Sequence, residues 1–482
     1  MLWIAVCLAR LPLESFLRAS STAEPWAVAE KRHVLDCNAA AYAHGVRAGM
    51  ARAAAAALAP SLRFRERNAL AESSAVEGFA AWAGRYTPNV SLMRGNAGPH
   101  GLLLEVSGSL KLFGTAQSIS SALMKGAAEI GYSASCATSP TAHGSWLLAR
   151  AGSPAPCATL RELHRRLHPL PVEVLGCDAR TLATLEAVGV RTLGEVLSLP
   201  SAGLAKRFGQ GLCAELERAL GTRADPREFY SPPEKFHAEL ELPAEVQEAE
   251  ALVFALRRLI VQLGGFLAAR DGGVQRLRIG LLHKDSRTDV DIGLVRPSRD
   301  TDHFGLLARE KLSALKLREP VRTIELAADD IFGMVPETPD LLDGRLKSAG
   351  DWRGLIERLR ARLGNHAVSG IATSAAHRPE AAWRVSELGE TSPALEFGTR
   401  PLWLLPQPRR LDAMSTTPDS SPQHFGALAL LAGPERIESG WWDGRDACRD
   451  YFIARDTTES LLWIYRERDP AKHHWYLHGI FG

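Results

Sequence analysis

The chain is poor in the features that make several function classes readable at once. Its seven cysteines (Cys7, Cys37, Cys136, Cys157, Cys177, Cys213 and Cys448) are odd in number and scattered, with no C-x-x-C pair. Neither a disulfide framework nor a zinc knuckle is expected from them, and they read as reduced, mostly buried thiols. The sequence holds no G-x-x-x-x-G-K-[ST], H-E-x-x-H or G-x-S-x-G, so ATPase, zinc protease and serine hydrolase readings have no support. Its apolar opening, MLWIAVCLA, has no basic leading region and meets Arg10 and Pro12 too early for a signal peptide or a membrane span. A cytoplasmic location is therefore expected. Charge of one sign is lacking too: 57 Lys and Arg against 55 Asp and Glu leave +2. Any nucleic-acid binding must use a local basic surface rather than a global field.

What is present is an ordinary globular composition, 46% apolar and 23% charged, in 482 residues, which implies three or four domains. Residues 2 to 8 have the length and apolarity of a buried strand, and ARAAAAALA at 51 to 59 reads as a helix. Between them a small helical insert is expected. VSLMR and GLLLEVSG read as a hairpin, 116 to 131 and 140 to 151 as helices, and SASCATS as a strand. Residues 159 to 222 are helical in pattern and contain LEAVGVRTLGEVLSLP, which resembles a helix-hairpin-helix. From FHAELEL at 236 the order β-α-β-β-α-β predicts a ferredoxin-like split motif. A Pro- and Asp-rich linker, an amphipathic helix at 352 to 363 and a loop-rich stretch follow. The aromatic and polar alternation of 438 to 482 then predicts an antiparallel β-meander.

This order resembles the palm, fingers, thumb and little finger of Y-family translesion DNA polymerases. AHGVRAGMARAAAAALAPSL at 43 to 62 is similar to their fingers signature, LLLEVSGSLKLFG at 102 to 114 to their palm hairpin, and LEAVGVRTLGEVLSL to their thumb hairpin. SAAHRPEAAWR, RPLWLLPQPRRL, GPERIESGWWDGRDACRDYFIA and the closing WYLHGIFG resemble the ImuB branch, the polymerase-like subunits of the bacterial inducible mutagenesis cassette. The resemblance implies an α+β multidomain fold: palm-like 1–20 and 76–165, fingers-like 21–75, thumb-like 166–234 and little-finger-like 235–328. A linker at 329–350 and a C-terminal partner-binding region at 351–482, ending in a small antiparallel β module, complete it.

Nucleotidyl transfer by two metals needs carboxylates holding ions about 3.5 to 4 Å apart, and here the acids are missing. Laid on the Y-family pattern, Ala5 and Cys7 stand at the first-strand aspartates, and His100 and Gly101 at the Asp-Glu pair. Glu14 is the only acid in residues 1 to 23, and Glu105 the only one in 87 to 108. A single carboxylate does not hold two divalent ions. In the fingers, Ala39 and Tyr42 stand where the family has Tyr and Arg, and no lysine lies between Lys125 and Lys206 to reach a triphosphate. The expectation is a pseudo-enzyme without cofactor or metal. The alternative is an active polymerase using displaced acids such as Asp36 or Glu105.

Two places remain for DNA. Gly189, Val190, Arg191 and Thr192 form the hairpin turn whose backbone N–H groups would meet phosphates, unless the hairpin merely packs. Residues 272 to 322 hold eleven Lys and Arg against seven acids. There Arg276 and Arg278 fall on one strand face, continued by Lys284 and Arg287, unless that face is only solvated. The resemblance further implies contacts with the replicative sliding clamp, with ImuA and with an error-prone C-family DNA polymerase, in a nucleoid-associated role. ADDIFGM at 328 to 334 lies where a clamp-binding segment belongs, with Asp330, Ile331 and Phe332 as its contacts, although no Gln heads it. The same residues could instead close the last strand of their own domain. The pairs His164/His168 and His473/His474, with His478, lack the carboxylate or thiol company of a metal site.

Overall fold

The computed structural model describes residues 1–18, 23–93, 100–153, 156–334, 345–387, 390, 398–413, 422–424, 426–442, 444, 446–468 and 474–482. They form two compact units, residues 1–362 and 363–482. The first begins with β1 (Trp3–Leu8), α1 (Leu11–Leu17), β2 (Trp26–Glu30), β3 (His33–Cys37), α2 (Ala39–Ala43), α3 (Arg52–Leu58) and β4 (Arg63–Glu66). It continues with α4 (Ala69–Ala83), β5 (Val90–Met93), β6 (His100–Glu105), α5 (Leu110–Phe113), α6 (Ala116–Ile130), β7 (Ser135–Ser139) and α7 (Ala142–Arg150). WIAVCL is apolar throughout because β1 is a central strand, in the order β5-β6-β1-β7, and is covered on both faces. Ile4, Val6 and Leu8 pack with α4 and α6, whereas Trp3, Ala5 and Cys7 pack with α7. Asn68, Thr115 and Thr141 cap α4, α6 and α7 by accepting from the backbone three residues on. The insert after β1 is not purely helical: β2, β3 and β4 make a small sheet of their own, ordered β3-β2-β4. Its strands are four or five residues long, too short to show an alternation.

Helices α8 (Leu160–Leu167), α9 (Ala179–Ala187), α10 (Leu193–Ser198), α11 (Ser201–Phe208) and α12 (Gln210–Leu220) share a core with α7 through Trp146, Leu163, Leu185, Leu193 and Leu216. Then come β8 (Phe236–Val246), α13 (Ala249–Ala268), β9 (Gly272–Leu282), β10 (Arg287–Ser298), α14 (Thr301–Ala314), β11 (Val321–Ala328) and β12 (Ile331–Gly333). The sheet order β10-β9-β11-β8, antiparallel throughout, is the split β-α-β-β-α-β arrangement, with β12 added to the start of β9. Helix α13 is long and apolar enough to cross a membrane by composition, but its length is used twice in packing. Leu252, Leu256, Leu259, Leu263 and Phe266 fill the core over the sheet, while Gly265 meets the ring of Trp82 on α4. Helix α15 (Arg345–Leu363) ends the unit, fixed by the buried Ile356, Glu357 and Ala361.

The second unit holds the hairpin β13 (Gly370–Thr373) and β14 (Trp383–Ser386), then β15 (Trp403–Ala413), β16 (Pro422–Gln423), β17 (Ala429–Ser439), β18 (Ala447–Arg455), β19 (Leu461–Glu467) and β20 (Trp475–Ile480). The β-meander runs through β17 to β20, and the six-stranded order is β16-β15-β20-β19-β18-β17. Much of the stretch read as loop-rich is therefore strand, its prolines and long exposed runs having hidden the alternation. One side of the sheet buries Leu411, Leu428, Ala454, Ile464, Trp475 and Leu477. The other buries an aromatic cluster in which Tyr451 stacks on Trp463 at 4.1 Å between ring centres and His478 stacks on Trp463 at 5.8 Å.

Candidate functional site

Register brings the sequence-predicted catalytic positions together. Cys7 pairs with Gly101, Leu8 with His100 and Ala5 with Leu103, and all of these are buried. Because neighbouring strand residues point to opposite faces, Gly101 shares a face with Ala5 and Cys7 and His100 does not. That face is filled. A Cβ on Gly101 would lie 2.6 Å from the ring of Trp146 and would overlap the Val6 carbonyl, so a longer acidic side chain has no room. Burial pushes the Cys7 thiol up to about 11, which leaves it protonated and a poor metal ligand at neutral pH.

His100 faces the other way, into a buried ion network that the sequence reading did not anticipate. Its Nε2 lies 2.9 Å from Glu72 Oε2, and Arg67 donates to both oxygens of Glu72 at 2.9 Å. A further Arg67 N–H donates to Glu30 on β2 at 3.1 Å. Glu72 is only 1% exposed. Burial by itself would raise its carboxyl, but the bonds from His100 and Arg67 hold it below the ordinary range. The network joins β2 and α4 to the end of β6. The alternative acids stand apart: Asp36 pairs with Arg10 at 3.2 Å, and Glu105, opposite Trp3 at the far end of β6, accepts from the backbone N–H of Leu2 and Ser107. In the fingers-like part Tyr42 is exposed and lies 3.5 Å beneath the Arg47 guanidinium, and Ala39 opens the same short helix α2. Arg150 is the one Lys or Arg of α7.

The hairpin turn between α9 and α10 has the expected shape. Gly189 adopts φ +83°, Val190 is buried in the thumb-like core, and Thr192 caps α10. Yet the amides that would meet a phosphate already hold an anion. Glu195 Oε2 accepts from the backbone N–H of Arg191 at 2.7 Å and of Thr192 at 3.0 Å, and these bonds lower its carboxyl. T-x-x-E is a capping box, and T-L-G-E at 192 to 195 was the signal that marks it.

Arg276 and Arg278 are exposed on the outer face of the β9 sheet, as alternation requires. Pairing register adds acids to that face: Asp291 opposite Arg278, Asp289 and Glu325 flanking Gly280, and Glu239 beyond Glu325. Arg287 pairs with Asp289 at 2.8 Å and with Glu325 at 2.7 Å, and Arg278 with Asp291 at 3.9 Å and Asp329 at 3.7 Å. His237, Glu239 and Glu325 bring one ligand atom each within 4.8 Å of one another on this side. The excess counted along 272 to 322 is thus not an excess on this face, because β8 and β11 supply carboxylates from outside that window. Lys284 stands exposed at the turn between β9 and β10, and His283 beside it is buried, bonded to Thr288 Oγ1 at 2.9 Å and to the Pro320 carbonyl at 3.1 Å.

The clamp-like segment forms β12. Ile331 pairs with Val274 and packs against the little-finger-like core, Phe332 is 41% exposed, and Asp330 is exposed just before them. Residues 335–344 of the expected linker lie outside the described residues. His164 donates to the Leu220 carbonyl at 2.9 Å, His478 Nδ1 accepts from Tyr451 Oη at 2.7 Å, His474 contacts Arg410 at 3.2 Å, and His473 lies outside the described residues.

Residues 13–150 match the model of the impB/mucB/samB family. Protein ImuB of Caulobacter vibrioides, from each of two strains, is 29% identical over 467 residues, covering 91% of this chain and 100% of the relative. Among solved structures, DinB from Sulfolobus solfataricus covers 69% of this chain and 99% of its own, at 18% identity and a TM-score of 0.36. An insertion ternary complex of Dbh DNA polymerase gives the same coverage at 18% identity and a TM-score of 0.38. The chain is thus similar to Protein ImuB along most of its length, its residues 13–150 match the impB/mucB/samB family, and it carries a β module at its C-terminal end.

Proposed function

We propose that this chain is a non-catalytic adaptor of translesion DNA synthesis in SOS-induced mutagenesis. It binds DNA without sequence preference and links the sliding clamp, ImuA and an error-prone C-family DNA polymerase that performs the synthesis. One observation carries the reading. Ala5, Cys7 and Gly101 meet on a buried palm face closed by Trp146, and His100 is turned to the opposite face and bound to Glu72. Two ions with their carboxylates have no place there. Retention of the surrounding fold without that chemistry fits a role in placing other proteins.

In this reading the DNA contacts are the hairpin at Gly189, Val190, Arg191 and Thr192 and the outer face carrying Arg276, Arg278, Lys284 and Arg287. Their own acids weaken these contacts, and because the contacts are to phosphates the affinity falls with salt. The pairing of Arg278 and Arg287 with carboxylates also favours a second reading, a protein-only scaffold. Fluorescence anisotropy of a labelled primer-template at about 50 and 200 mM salt separates the two. The adaptor binds at low salt, and joint replacement of Arg276, Arg278 and Arg287 by Ala weakens it several-fold. No binding at either salt selects the scaffold. Clamp binding is tested by Phe332→Ala, which abolishes capture by the purified clamp if β12 is the docking segment.

A further inference from the structure

Strand β8 is the edge of its sheet, beside β11, and the pairing of the two sets like charges against each other. Glu239 stands directly opposite Glu325, which stands opposite Gly280, with Asp289 beyond. Two carboxylates facing each other across a strand pair are destabilising unless something neutralises them. Arg287 answers only part of that charge. It is shared between Asp289 at 2.8 Å and Glu325 at 2.7 Å. Among the described residues the Glu239 carboxylate has His237 as its ion-pair partner, at 3.8 Å. His237 lies two residues before Glu239 and therefore on the same face of β8.

One nitrogen and two carboxylate oxygens thus converge, one ligand atom from each residue within 4.8 Å of the others. Bonds of about 2.1 Å to a tetrahedral ion would need roughly 3.4 Å between ligand atoms. His237 and Glu239 are exposed and free to close that gap, whereas Glu325 is half-buried under Arg287. A carboxylate has two oxygens, so Glu325 can keep its ion pair and still ligate, with Arg287 orienting it from behind. The strand itself is held: Arg18 of the segment after α1 donates to the Glu239 backbone carbonyl at 3.2 Å. His237 and Glu239 also wall a cavity of about 550 Å³ between β8 and helices α1 and α4, which leaves room for water on an ion. We propose that His237, Glu239 and Glu325 form a binding site for a divalent transition-metal ion of the zinc type, clipping the edge strand β8 to β11. The imidazole selects such an ion over magnesium, which takes oxygen ligands.

The probe is Zn²⁺ itself, titrated calorimetrically into the full chain in a buffer free of added thiols, with Mg²⁺ as the comparison. The expected result is one Zn²⁺ per chain at micromolar affinity, no comparable binding of Mg²⁺, and a higher melting temperature in the presence of Zn²⁺. His237→Ala and Glu239→Gln, made separately, each weaken Zn²⁺ binding at least tenfold and remove the rise in melting temperature. His33→Ala, at an exposed histidine of β3, leaves both unchanged. Positions 237 and 239 are exposed, and an unchanged circular dichroism melt in the absence of metal verifies that the variants remain folded. Absence of stoichiometric Zn²⁺ binding overturns the proposal. Binding that neither His237→Ala nor Glu239→Gln weakens overturns it too, since the ion then sits on thiols or on other histidines. Equal binding of Mg²⁺ that His237→Ala leaves intact reduces the cluster to an acidic surface and has the same consequence.

Discussion

Glu195 decides what the thumb-like hairpin can do. Its carboxylate is held by the Arg191 and Thr192 amides, and in the proposed reading DNA docking at this turn must displace it. Glu195→Gln removes the charge while keeping a side chain able to cap, so primer-template affinity at low salt rises several-fold and the salt slope steepens by about one phosphate contact. Unchanged affinity in the anisotropy titration would remove the hairpin from the DNA surface. Two histidines set a pH dependence. Burial pushes His143 and His478 each down to about 4, whereas an imidazole in an unfolded chain titrates near 6.5. Between those values unfolding takes up protons, so their contribution is fully present above about pH 6.5 and is lost as pH falls towards 4. Each site is worth roughly 3 kcal/mol at most across that window. Urea midpoints are expected to drop from pH 7.5 to pH 5, and His478→Gln flattens the part belonging to the second unit. A midpoint constant over that range would refute the assignment.

At the scale of elements, Trp82 is the pin between layers. A Cβ on Gly126 of α6 or on Gly265 of α13 would overlap its ring, so three helices meet over one indole with no side chain intervening. Gly265→Val is predicted to destabilise the first unit by about 1 to 3 kcal/mol through overpacking, measured as a lower urea midpoint. An unchanged midpoint would mean that α13 does not seat on α4. Periodicity made many elements readable: β1, the helices α6 and α13, the split motif and the final β-meander each announce themselves in the sequence. Pairing was not readable. Nothing in R-L-R at 276 to 278 tells that Asp291 stands opposite, because register depends on a turn and a partner strand. The H-A-E of β8 and Glu325 of β11 join the same face from outside the window whose charges were counted. The T-L-G-E capping box was legible and changes the meaning of the turn it caps. The inward turn of His100 towards Glu72 was not, since it rests on a helix 28 residues away in sequence.

For the whole molecule, the proposed non-catalytic role rests on the palm-like face. Between Ala5, Cys7, Gly101 and Trp146 the interior is packed as a core is, and the Arg67–Glu72–His100 network braces the fingers-like sheet against it. A polymerase needs a wet, acidic cleft at that place; an adaptor does not. Phe332 is exposed on the same unit, as the proposed clamp contact requires. The most direct measurement is single-turnover primer extension with protein in excess over primer-template, with magnesium and with manganese. The account predicts no nucleotide incorporated under either ion, in the same tubes where anisotropy reports bound DNA at low salt. Incorporation by the wild-type chain that Glu105→Ala abolishes would contradict it and make this an enzyme with relocated metal ligands.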